Sequence, residues 1–213
     1  MNIATYPVDK LLVMLSSLLT KIIDANDKLH PNHFNELSQQ QQQSQDLNSG
    51  DGNNSAASAE NRYLANVLAF HGKNVPAISL HSYLTRVLKY CPVTNEVFLS
   101  LLVYFDRIAK KATALAGNNQ QQHASGMPPK TDQFVMDSFN IHRLIISGIT
   151  VSSKFFSDIF YKNSRYAKVG GLPLDELNYL EIQFLLLIDF KLLISLNELQ
   201  KYGDLLLRFW ARQ

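Results

Sequence analysis

The sequence predicts an all-α domain on three observations. Apolar residues recur at spacings of three and four through most of the 213 residues. No stretch carries the apolar–polar alternation or the turn signature of a hairpin. Helix-starting and helix-stopping residues fall at the edges of the periodic runs. At 46% hydrophobic residues the chain has enough apolar side chains for one good core, and its length suits one domain with insertions.

The first helix is expected within residues 6–27, where Val8, Leu11, Leu12, Leu15, Leu18, Leu19, Ile22 and Ile23 share one face. Asp9 and Asp24 flank the run, no small-x-small cleavage site follows, and it is too short to span a bilayer at about 20 residues, so a docked helix is preferred to a targeting segment. A second helix follows Pro76, with Ile78, Leu80, Leu84, Val87 and Leu88 inward, and Pro92 stops it. Thr94 is a candidate N-cap for a third, whose stripe runs from Val97 and Phe98 to Ile108 and Ala112. Residues 139–160 are apolar around most of the circumference, with Ser147, Gly148, Ser152 and Ser153 threaded through. That is the pattern of a central helix approached closely by its neighbours. Pro173 opens the next helix, with Asp175 and Glu176 suited to the positive end of its dipole. Ser195 and Glu198 form a capping-box pattern for the last helix, through Tyr202, Leu205, Leu206 and Phe209.

Two polar tracts, 36–61 and 117–130, hold almost no large apolar residue and are expected to be disordered loops. The domain reading is therefore an N-terminal helix within 1–30, a Gln/Asn/Ser insertion at 35–62, and a helical unit from 70 to 213 interrupted at 117–130. Loop lengthening costs only about 0.6 kcal/mol per doubling, so such insertions are tolerated between packed helices.

Composition narrows the function. Twenty basic and eighteen acidic residues give a formal charge of +2, too weak and too dispersed in the sequence to point to nucleic acid. The one cysteine, Cys91, leaves no intramolecular disulfide framework and no multi-cysteine zinc site. No GxSxG, GxxxxGK[ST], HExxH or GxGxxG motif occurs, so neither an enzyme nor a cofactor is expected. His30 and His33 are spaced like half a metal site but lack further ligands nearby. Cys91 reads as a half-buried helix-end residue, His142 as a hydrogen-bonded core or edge histidine, and Gly170–Gly171 as a tight connector.

Lys154 and Glu181 stand out because each interrupts an apolar helix. On spacing alone Lys154 pairs with Asp158 at i,i+4, and Glu181 is a snorkelling carboxylate at the rim. The sharper reading places the two side by side at the edge of an exposed apolar groove, where they bind the backbone of another protein.

The segments "YFDRI" (104–108), "SSKFFSD" (152–158) and "LEIQFLLLIDFKL" (180–192) resemble, in order, the motifs of the cyclin box. More narrowly, "NSRYAKVGGLPLDELNYLE" (163–181) resembles the signature of the phosphate-pathway, or Pcl, cyclins of fungi, which are related to the P/U-type cyclins. The resemblance covers residues 70–213. It implies a cyclin-box five-helix bundle around a central helix, with an extra N-terminal helix and two disordered polar insertions.

It further implies a non-catalytic regulatory subunit that activates a cyclin-dependent protein kinase by docking on its PSTAIRE-type αC helix. Lys154 and Glu181 would contact that helix and its flanking backbone, and Phe155 and Leu185 would pack against it. Arg86 and Asp106 would form a structural salt bridge. Partners would be a kinase of the phosphate-pathway type and its substrates or inhibitors, without nucleic acid or membrane, in the nucleus or cytoplasm. The alternative is a cyclin-fold adaptor in transcription. "ISLHSYL" (78–84) does not match the MRAIL patch of mitotic cyclins, so RxL-type substrate docking is not expected. A second cyclin repeat is not read before Gln213, as in a fragment or a single-box cyclin.

Overall fold

The computed structural model describes residues 2–47, 55–120 and 134–213. These form helices α1 (Val8–Leu29), α2 (His33–Leu47), α3 (Ser55–Leu68), α4 (Leu80–Tyr90), α5 (Asn95–Gln120), α6 (Ile141–Phe156), α7 (Asn163–Gly170), α8 (Leu174–Leu187) and α9 (Leu196–Trp210), with no strand among the described residues. Helix α6 is the axis, packed by α5, α7 and α8. Its residues 144–153 are all buried, which is why this run is apolar on nearly every side. A Cβ at Gly148 would sit 2.6 Å from Leu101 Cδ2 and 3.1 Å from the Phe184 ring, so the glycine sets how closely α5 and α8 approach the axis.

Helix α4 joins this group through α7. Helix α1 lies along α4 and α9, burying Leu11, Leu12, Met14, Leu15, Leu19 and Ile23, and α9 closes against α5. Among the described residues no helix is long and apolar enough to cross a membrane.

The ends of the helices follow local chemistry. Ser195 Oγ accepts the Glu198 N–H at 3.1 Å, but the Glu198 carboxylate turns away to Arg107 at 2.9 Å, so only half of the capping box forms. Helix α7 ends on Gly171 at φ 75°, a left-handed conformation cheap only for glycine. There the Leu172 N–H donates to Ala167 O at 2.9 Å and the Gly171 N–H to Lys168 O at 3.4 Å, a Schellman closure. The glycine pair is thus a connector between α7 and α8.

Two expectations are corrected. The tract 36–61 is helical over much of its length, in α2 and the start of α3; residues 48–54 lie outside the described residues. Gln, Glu and Leu carry little helical penalty, and Leu37, fully buried, anchors α2, which packs on α3, which in turn lies on α8. Likewise α5 continues through 117–120, and the rest of the second tract lies outside the described residues. The Arg86–Asp106 bridge is not formed. Arg86 faces α7 and donates to Lys168 O at 3.2 Å, whereas Asp106 faces α9. Lys110, one turn on, reaches Asp106 at 2.6 Å, and Tyr202 Oη donates to it at 2.5 Å. Burial alone would raise the Asp106 carboxyl, but those two bonds outweigh it and hold the group below its ordinary range.

Candidate functional site: a charged pair and an apolar groove

Lys154 lies in the last turn of α6 and Glu181 midway along α8, on adjoining helices. Lys154 Nζ donates to Glu181 Oε1 at 2.6 Å, and Asn163 Nδ2, at the start of α7, donates to Glu181 Oε2 at 2.7 Å. Asn163 also donates to Asn178 Oδ1 at 2.8 Å. Three helices therefore fix one carboxylate, which is only 15% exposed at its side chain, against 34% for Lys154. The pair is a preset cation and anion at a surface, with both carboxylate oxygens of its acidic member hydrogen-bonded.

A groove of about 910 Å³ opens between the outer face of α5, Phe155 and the chain that follows α8; Phe155, the residue after Lys154, lines it, whereas Lys154 and Glu181 do not. Its apolar walls include Phe155, 43% exposed, and Phe190, 59% exposed, with Leu192 and Leu193. Arg107, Lys110 and Lys111 give one wall a cationic edge. Of the residues expected here, Lys154 and Glu181 are in contact, and Phe155 lines the groove. Leu185 does not line the groove: it is half-buried against the core.

Phe190 was not among the residues expected at the site. Asp189 and Phe190 both hold positive φ, at 52° and 55°, uncommon for Asp and an outlier for a bulky aromatic. The turn is held from below. Lys111 Nζ donates to Asp189 Oδ1 at 2.5 Å and to the α8 carbonyls of Leu186 and Leu187 at 3.3 and 3.4 Å, while the Phe190 N–H donates to Leu185 O at 2.9 Å. The strained turn leaves most of a phenylalanine ring in solvent, where only part of it is buried in this chain. The signal in sequence was an aromatic residue between Asp and Lys just past an apolar helix.

The other candidates have structural surroundings. His142 Nε2 lies 3.1 Å from Ile78 O with its ring edge-on to Tyr83, and burial lowers its pKa. Cys91 is buried at the end of α4, and burial pushes its thiol up. His30 and His33 stand edge to face at 6.0 Å, and no cluster of three metal-ligating side chains occurs among the described residues.

Residues 9–192 match the family model described as "Cyclin". The chain belongs to the cyclin family. It is 49% identical to PHO85 cyclin-7 of Saccharomyces cerevisiae over all of its own length and 65% of the relative's, and 45% identical to PHO85 cyclin-6 of the same yeast over 99% and 58%. Cyclin-U4-1 of Arabidopsis thaliana is 30% identical over 92% of this chain and 73% of that protein. The chain thus spans about three-fifths of the length of the two yeast cyclins it matches. These likenesses place it with the PHO85-type cyclins.

Proposed function

We propose that this chain is the regulatory subunit of a cyclin-dependent protein kinase and performs no phosphoryl transfer itself. The relatives named as PHO85 cyclins support a cyclin-dependent kinase of that type as the partner. The observation that carries the reading is the Lys154–Glu181 pair, fixed by Asn163, on a helix whose next residue, Phe155, lines the groove with Phe190.

A protein kinase is active only when a glutamate of its αC helix pairs with the lysine that holds the ATP phosphates. A partner that binds the inward position of αC more tightly shifts the population toward it, and about 5.5 kcal/mol of differential affinity moves it from one percent to ninety-nine. The groove suits the apolar face of such a helix. At its edge the ammonium group of Lys154 meets backbone carbonyls and the Glu181 carboxylate meets N–H groups. Covering these charges makes the loss of one partner expensive, about 2 to 5 kcal/mol, because the other is left desolvated.

Calorimetric titration of a PHO85-type kinase tests this. Lys154→Ala and Glu181→Ala should each weaken binding by roughly 30-fold or more. The double variant should fall short of the sum, since both remove one interaction. Unchanged affinity in both single variants would remove the pair from the interface.

A further inference from the structure

Helices α4 and α7 pack side by side and, with Lys162 at the N-cap of α7, present five exposed cations, Arg86, Lys89, Lys162, Arg165 and Lys168. The two helices are locked by backbone contacts. Arg86 Nη2 donates to Lys168 O at 3.2 Å, Arg165 Nε and Nη2 donate to Tyr90 O at 2.8 and 2.5 Å, and Tyr83 Oη donates to Gly170 O at 3.2 Å. No acidic residue occurs in 76–95 or in 159–173, the segments that build this face. Nor does any of the five form a salt bridge among the described residues. Two rings lie among them: Lys89 Nζ stands 5.4 Å from the centre of Tyr90, itself 49% exposed, and the Arg165 guanidinium stacks 4.1 Å from the half-buried Tyr161.

We propose that this α4–α7 face is a docking site for an acidic, carboxylate-rich peptide segment of a partner protein. Like charges gathered without counter-ions repel one another, and an anionic chain laid across them relieves that repulsion. With α4 about 16 Å long, at 1.5 Å per residue, the face matches about five residues of extended peptide. Tyr90 and Tyr161 supply apolar contact between the charges.

A lone phosphate is a poorer fit. Its sites converge several donors on one point, whereas here the two arginines are tied to separate backbone carbonyls on α7 and α4. Nucleic acid fits less well again. The chain as a whole is +2, so with +5 on this face the remainder is −3, and a polyanion longer than the face would run onto repulsive surface.

The inference stands apart from the kinase reading, since it is tested with this chain alone. The probe is a fluorescein-labelled dodecapeptide of glutamates around a central leucine, read by fluorescence polarisation at low salt. Its all-glutamine counterpart should not bind. Lys89→Glu/Lys168→Glu should weaken the acidic peptide at least tenfold, because neither amine has a hydrogen bond or ion pair among the described residues and the fold should survive; thermal melting checks that. Lys28→Glu/Lys73→Glu, an equal charge change elsewhere, should leave binding within about twofold, as should Lys154→Ala/Glu181→Ala. The proposal is overturned by absence of binding, by equal loss in the Lys28/Lys73 variant, or by loss in the Lys154/Glu181 variant. It is also overturned if a neutral peptide with one phosphoserine, or a single-stranded DNA 12-mer, binds the same lysines more tightly than the acidic peptide.

Discussion

Lys154 does not pair with Asp158, although the i,i+4 spacing invites it. Helix α6 stops at Phe156, Ser157 is extended, and Asp158 leaves the helical register before it can face back. Glu181 takes the lysine instead. Spacing could not reveal this, because it depends on where one helix ends and which helix lies alongside; the two residues stood out as charges on apolar helices, and the likeness of "SSKFFSD" and "NSRYAKVGGLPLDELNYLE" to cyclin motifs favoured their pairing. Gly148 was legible differently, as a small residue in an apolar run, and its cost is calculable. Gly148→Ala drives a methyl into Leu101 and Phe184, and overpacking of this kind costs about 1 to 3 kcal/mol. Thermal unfolding should therefore shift down by several degrees, at about 2 to 4 °C per kcal/mol for a chain of this size. An unchanged melting point would mean that the axis of the bundle is looser than its packing shows.

At the scale of elements, the turn after α8 trades stability for an exposed ring. Phe190→Gly should stabilise the isolated chain by about 1 kcal/mol, because glycine adopts φ 55° without the penalty that phenylalanine meets there. The same change should weaken kinase binding, so the two effects have opposite signs. Chemical denaturation and calorimetry on one preparation read both, and a variant less stable than the parent would show that Phe190 packs within this chain. The strongly periodic helices, α1, α4, α5, α6, α8 and α9, were legible from their apolar stripes. Helices α2, α3 and α7 were not. Helix α2 is mostly polar, with Leu37 buried and Phe34 stacked on His71, α3 begins inside a tract of small and polar residues, and α7 is only eight residues long. The basic face escaped notice for a related reason: its charges are scattered along the sequence and meet only when α4 and α7 pack.

For the whole molecule, two histidines link folding to pH. His71 is stacked between Phe34 and Phe139, at 3.7 and 4.9 Å, and burial, with help from nearby Arg143, lowers its pKa. His142 is lowered by burial against the smaller opposing pull of Ile78 O. The unfolded chain, titrating near the ordinary value of about 6.5, takes up protons first. Stability is therefore complete above about pH 6.5 and is lost as pH falls through the lowered folded values. The melting temperature should drop between pH 7.5 and pH 5.5. His71→Phe, which keeps the stack, should flatten that slope; a slope left as steep would exclude His71 from the linkage. What the folded chain does for its partner is a larger question, and it is read most directly by the initial rate of phosphotransfer from a PHO85-type kinase at saturating concentrations of this chain. The account predicts large activation by the parent and little by Lys154→Ala/Glu181→Ala at concentrations where the parent saturates. Equal activation by both, or tight binding by the parent with no activation, would contradict it.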